Sequence, residues 1–256
     1  MQAVVYDGSF KGWLTAVFDV YEHRYKSVQV CKEENFEQNI FGHVHYTHTD
    51  EQKGSRVWKG LQKKLSETAL QELYYAWLSE LKGIETHMLL FVQYAFSSLV
   101  FVENDYSHPS VLLISQTAKK VHREKHRMEA FVRFQLTTDK LYYSIVEPDF
   151  NVLPLISNHF EQRYADQHWM IYDARRRYGI YYDGEKVDTI EVSFQQDSSS
   201  GKDISAVYDE QELLYQHLWQ RYFKSVNIES RKNTRLHIQH MPRRYWKYLP
   251  EKKPVQ

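Results

Sequence analysis

After Pro109 the chain places Val111, Ile114, Ala118, Val121 and Met128 at helical spacing, while Lys119, Arg123, His126 and Arg127 lie along a different face. No other stretch constrains the fold as much. It predicts a long helix that must bury an apolar stripe and that presents a basic ridge. At 256 residues the chain is long enough to bury roughly 70–75% of its unfolded surface, so that stripe can find a core without a disulfide or metal staple. The single cysteine, Cys31, forbids internal disulfides and Cys-ligated iron–sulfur clusters, which need several thiolates. Cys31 reads as a buried small hydrophobe, since no local Cys-His signature accompanies it.

The other elements follow from the same kind of spacing. Residues 3–6 are extended in type, Asp7-Gly8-Ser9 turn the chain, and Phe10, Leu14, Val17, Phe18 and Tyr21 recur at helical intervals. A strand is expected at 28–31. Residues 49–97 read as helical with breaks near Ser66 and Gly83. Strands are expected at 131–136 and 141–146, joined through Thr137-Thr138-Asp139-Lys140, and Pro154 suits the start of a helix reaching about residue 164. Further strands are expected at 169–172, 179–182 and 187–194, with Asp183-Gly184 as a hairpin turn. Helices should resume at 209–224 and 229–240, after a polar loop from Gln195 to Gly201. The expected class is α+β, a mainly antiparallel sheet flanked by segregated helices. The whole chain, 1–256, reads as one family domain that subdivides into a helix-rich half (1–107), a basic helix with antiparallel strands (108–208) and a basic helical end (209–256).

The net charge is zero, yet it is unevenly distributed. Residues 1–118 sum to −4, 119–133 to +4, 134–220 to −8 and 221–256 to +8. Positive charge concentrated in two short segments is the footprint of a polyanionic partner, and Tyr222, Phe223, Tyr245, Trp246 and Tyr248 stand among the C-terminal cations. The competing expectation is that these cations pair with the acidic middle segment inside the fold. The candidates for phosphate recognition are Arg123, Arg127, Arg133, Arg163, Arg231, Arg243 and Arg244, with Trp246 as a stacking surface, because the guanidinium fork binds phosphate bidentately. No apolar run reaches a membrane span and the first ten residues lack a signal-peptide pattern, so a cytoplasmic protein with no membrane partner is expected.

Catalytic patterns are sparse. His43, His45 and His48 could bring two imidazoles to one face of a strand, and His122 and His126 have ligand spacing on a helix. Neither group has a complete ligand set, so no metal and no other cofactor is expected. Pro148-Asp149 resembles the start of a metal-dependent nuclease motif, but its nearest partner, Glu161-Gln162-Arg163, has Arg in place of Lys and falls in an expected helix. His126, Asp149 and Asp173 are the candidates should the chain be a hydrolase. No phosphate-binding Gly-rich loop or dinucleotide fingerprint is present.

Residues 123–134, with His126-Arg127-Met128 and Ala130-Phe131-Val132-Arg133-Phe134, resemble a bacterial family known only as DNA metabolism or DNA repair proteins with a domain of unknown function. The resemblance continues through Glu147-Pro148-Asp149, Asn151, Leu153-Pro154-Leu155, Phe160, Arg163-Tyr164-Ala165 and Trp169. It takes in Tyr6-Asp7-Gly8-Ser9-Phe10, Gly12 and Leu14 at the start, and Met241-Pro242-Arg243-Arg244-Tyr245-Trp246 with Leu249-Pro250-Glu251 at the end. Members of that family are typically encoded beside a radical-SAM DNA modification or repair protein, and some are fused to a uracil-DNA-glycosylase-type domain. The resemblance therefore implies a DNA-repair setting, DNA as a ligand and a radical-SAM protein as a partner. It implies no catalytic residue. Read to Gln256, the chain leaves no room for an added glycosylase domain, so base excision is not expected of it alone, and any iron–sulfur chemistry would sit on the partner. The leading expectation is an accessory DNA-binding protein. The alternatives are a DNA-acting hydrolase and a protein-interaction module without DNA contact.

Overall fold

The computed structural model describes residues 2–36, 43–191, 238 and 240–252. The chain forms two compact units, Met1–Arg123 and Glu124–Gln256. Their boundary falls inside one long helix.

In the first unit, β1 (Gln2–Tyr6) leads into α1 (Phe10–Glu22), then β2 (Val28–Lys32) and β3 (His43–Tyr46), which build a three-stranded sheet in the order β2-β1-β3 with every pair parallel. Ser9 caps α1 by accepting from the Gly12 N–H, and Asp7 in turn accepts from the Ser9 N–H and from the Thr49 hydroxyl. Three helices follow. These are α2 (Glu51–Gln62), whose cap Asp50 accepts from the Gln52 and Lys53 N–H groups, α3 (Glu67–Leu78) capped by Ser66, and α4 (Ile84–Ser97) after Gly83. The breaks read at Ser66 and Gly83 are thus helix starts. The core of this unit gathers Val4, Tyr6, Trp13, Val17, Leu61, Leu73 and Met88, all buried. Cys31 is only half-buried, and burial together with the Glu85 charge pushes its thiol upward.

The long helix is α5 (Pro109–Phe131), and its stripe Val111, Ile114, Ala118, Val121 and Met128 is buried as the spacing requires. The second unit continues with β4 (Gln135–Leu136), β5 (Tyr142–Val146), α6 (Leu153–Arg163), β6 (Trp169–Asp173), β7 (Tyr178–Tyr182) and β8 (Val187–Glu191), in one sheet of order β4-β5-β6-β7-β8. Residue 131 ends the helix instead of opening a strand, which leaves the first arm of the 131–146 hairpin only two residues long. At the Asp183-Gly184 turn, Asp183 Oδ1 accepts from the Glu185 and Lys186 N–H groups while Gly184 takes φ +95°. Where β7 pairs with β6, opposite Tyr172, a Cβ on Gly179 would sit 2.9 Å from the Ile171 carbonyl oxygen, so only glycine fits there.

The expectation of a mainly antiparallel sheet is corrected. The first sheet is wholly parallel, and the second is mixed, because β5 and β6 pair parallel while β4–β5, β6–β7 and β7–β8 pair antiparallel. The reason lies in the connections. A helix of 11–13 residues, about 16–20 Å long, carries the chain back to the end where the strand began, so β1-α1-β2 and β5-α6-β6 both give parallel pairs. Short turns give the antiparallel ones. The expected loop from Gln195 to Gly201 and helix at 209–224 lie outside the described residues, as does most of that expected at 229–240, of which Ile238 and His240 are helical. Among the described residues no helix is long and apolar enough to cross a membrane.

Candidate nucleic-acid interface

α5 carries a buried carboxylate next to the basic residue Arg127. Glu124, on the apolar-facing side of the helix and only 1% exposed, would cost several kcal/mol to bury unpaired, and the second unit gathers donors around it. The Asp149 N–H donates to it at 2.9 Å, the Tyr245 hydroxyl at 2.5 Å and Arg244 Nη2 at 3.1 Å, while Arg127 Nη1 stands 3.5 Å away, one turn along the helix. Arg244 also reaches Asp149 Oδ2 at 2.7 Å and lies over the Tyr245 ring, 4.5 Å from its centroid. Burial, reinforced by the bond to Glu124, holds the Tyr245 hydroxyl well above its ordinary range. For Arg244, burial acts against the charge, but Tyr245, Glu124 and Asp149 outweigh it and the guanidinium is held charged.

A second group of pairs lies in the same unit. Lys247 and the Tyr248 hydroxyl, in the 3₁₀ segment Arg243–Tyr248, both donate to Glu147 just after β5, which lowers the Glu147 carboxyl below its ordinary value. The fully buried Asp173 accepts from the N–H groups of Arg175 and Arg176 and from Arg176 Nη1 at 2.9 Å. Arg176 in turn donates to the Pro148 and Asp149 carbonyls.

The three candidate catalytic residues therefore have partners of other kinds. The carboxylate of Asp149 is bound by Arg244 and that of Asp173 by its own turn and Arg176. His126 is exposed, with Nδ1 3.1 Å from Glu129 Oε2. In the first unit the histidine triplet separates. His43 and His48 are exposed, whereas His45 Nε2 lies 3.1 Å from Asp19 Oδ2, a carboxylate that also accepts from Thr47 and Lys53. Among the described residues, no group of three or more His, Cys, Asp or Glu side chains is placed to hold a metal ion.

Among the arginines singled out for phosphate, Arg127 and Arg244 are drawn to Glu124, and Arg133 donates to the Ala130 and Val132 carbonyls. Arg123 is exposed on α5. Arg163, exposed at the end of α6, lies 5.8 Å from the Tyr164 ring centroid. Arg243 is exposed over the half-buried Trp246 at 5.8 Å, and Lys252 lies over the same ring at 5.0 Å. Arg231 lies outside the described residues. Sequence reasoning missed Glu124 as the organiser of this region. Its only signal was an isolated acid three residues before Arg127 in a cationic run.

A family model for a domain of unknown function, DUF4130, matches residues 82–251, more than half of the chain. The chain belongs to that family. The DUF4130 span opens just before α4 and holds Glu124, its partners, and every arginine considered above, Arg231 included. It leaves β1–β3 and α1–α3 outside, together with the Tyr6-Asp7-Gly8-Ser9-Phe10 opening. No curated protein and no solved structure matches the chain.

Proposed function

We propose that this DUF4130 protein binds DNA through Arg123, Arg163, Arg243 and Trp246 and acts as the accessory partner of a radical-SAM enzyme that modifies or repairs DNA. The observation that supports it is the division among the arginines. Three of them stand exposed, outside the Glu124 network, and one of these lies against an indole ring flanked by a second cation. Cations beside an aromatic surface suit a phosphate backbone with a stacked base. The partner comes from the family resemblance. A protein without chemistry of its own can raise a partner's turnover by positioning substrate, since fixed geometry lowers a barrier by several kcal/mol.

The test is fluorescence anisotropy with labelled DNA over a range of salt. Contact with about four to six phosphates gives a slope of log affinity on log salt of roughly −3 to −5. Charge reversal by Arg163→Glu with Arg243→Glu should weaken binding and leave the melting temperature within a few degrees. Arg244→Glu is not a fair test, because it would set a carboxylate against Glu124. A salt-independent or undetectable interaction sinks the DNA reading. For the partner, co-purification of the chromosomal complex without a radical-SAM protein sinks the second half.

A further inference from the structure

The first unit carries a groove that the charge count along the chain concealed. It has a volume of about 690 Å³, lies among α1, α2 and α3, and has Phe10, Trp58 and Tyr74 as its aromatic wall. Phe10 meets Trp58 and Tyr74 edge-on at 5.8 and 5.1 Å, which holds both rings in place while all three remain only half-buried. A second, smaller groove of about 560 Å³ continues over α2 past Arg56, Lys59 and Lys63, sharing Glu51, Ser55 and Lys59 with the first. These three cations recur at i, i+3 and i+7, so they form one ridge whose charges step about 4.5 and 6 Å along the helix axis. All three are exposed, and among the described residues none makes an ion pair.

The acids at this site are accounted for. Glu51 is paired with Lys11 at 2.8 Å, and Glu67 lies with Gln71 on the far rim, one turn apart on α3. A carboxylate and an amide side by side offer an acceptor and a donor to the edge of a base. An aromatic recess of ligand size, a row of cations along its continuation and hydrogen-bonding groups on α3 together suit a nucleic-acid strand. We propose that this groove binds single-stranded nucleic acid, with an unstacked base against Trp58 and Tyr74 and the neighbouring phosphates along Arg56, Lys59 and Lys63. The site goes beyond the DNA contacts proposed above and does not depend on their arginines. An acidic amphipathic peptide would use the cations and could lay its apolar face in the recess, so it is the competing occupant that the test separates.

The test uses the full chain and a labelled single strand of about 12 nucleotides, with the matching duplex alongside. The single strand should bind in preference to the duplex and quench tryptophan fluorescence. Trp58→Ala should weaken single-strand affinity by about 5- to 150-fold, the loss expected of one stacked base, and Trp58→Phe should restore most of it. Lys59→Glu with Lys63→Glu, on an exposed face where folding is not at stake, should make the salt slope shallower by about 1.4. If neither change alters affinity while Arg163→Glu with Arg243→Glu abolishes it, the groove is refuted and the arginine reading stands. The reverse pattern keeps the groove and refutes the arginines. An acidic peptide that binds wild type more tightly than the oligonucleotide, and loses affinity in Trp58→Ala, would show a protein interface and overturn the proposal.

Discussion

The helix α2 and the C-terminal 3₁₀ segment invert what their surroundings suggest. α2 lies in a stretch that sums to −4, yet Arg56, Lys59 and Lys63 face solvent without a carboxylate. The segment Arg243–Tyr248 lies in a stretch that sums to +8, yet Arg244 and Lys247 are engaged by Glu124, Asp149 and Glu147. The charge of a segment counts residues. What a polyanion meets is the charge left after folding has paired some of them, and in this protein those two quantities point to different places.

The sharpest way to break the comparison is to remove the carboxylate that engages the C-terminal cations. Glu124→Ala leaves Arg244 and Tyr245 without their shared acceptor, and breaking a buried pair of this kind costs about 3–5 kcal/mol, to be read as a lowered urea midpoint. If stability hardly changes, the segment is not anchored by Glu124 and its cations belong with the exposed, unpaired ones.

A smaller effect is expected at the acid that engages a cation of α2. Asp19 is buried, which alone would raise its carboxyl, but bonds from Lys53, His45 and Thr47 outweigh burial and hold it below its ordinary value of 3.8. A lowered folded value means a contribution that is present above about pH 4 and lost as pH falls through the folded value. Asp19→Asn should therefore cost about 1–3 kcal/mol near neutrality and flatten the loss of stability on acidification. An unchanged acid limb would show that the Asp19 pair adds nothing to stability and that Lys53 is held through its other carboxylate, Glu22.

The smallest effect belongs to Glu147 and Lys247. Both are substantially exposed, so Lys247→Ala should cost only about 0.2–1 kcal/mol in spite of the lowered Glu147 carboxyl. A larger loss would mean that the 3₁₀ segment depends on this pair as much as on Glu124.

Several features were legible from local spacing alone. The apolar stripe of α5, the strand-turn-helix start at residues 3–21 and the helix starts after Ser66 and Gly83 all follow from periodicity and capping. Asp183-Gly184 announced its turn through the side-chain acceptor of one residue and the positive φ open to the other. The β strand at His43–Tyr46 was harder to see, because His-Val-His-Tyr is polar and sits at the sheet edge beside β1. Two of the three parallel pairings, β1–β2 and β5–β6, were implicit in strand-helix-strand successions, but pairing direction depends on where a connection returns the chain.

By itself, the sequence determined where most of the described elements lie, which face of α5 must be buried, and that a single cysteine leaves no internal disulfide. Those outcomes depend on φ/ψ preferences, hydrophobic periodicity and residue identity within a few positions. Only the tertiary structure decided which cations are consumed and which are presented, since Glu124 meets Arg244 across 120 residues. Ion pairing acts through distances of a few ångströms, and distances between remote residues exist only once the chain has folded.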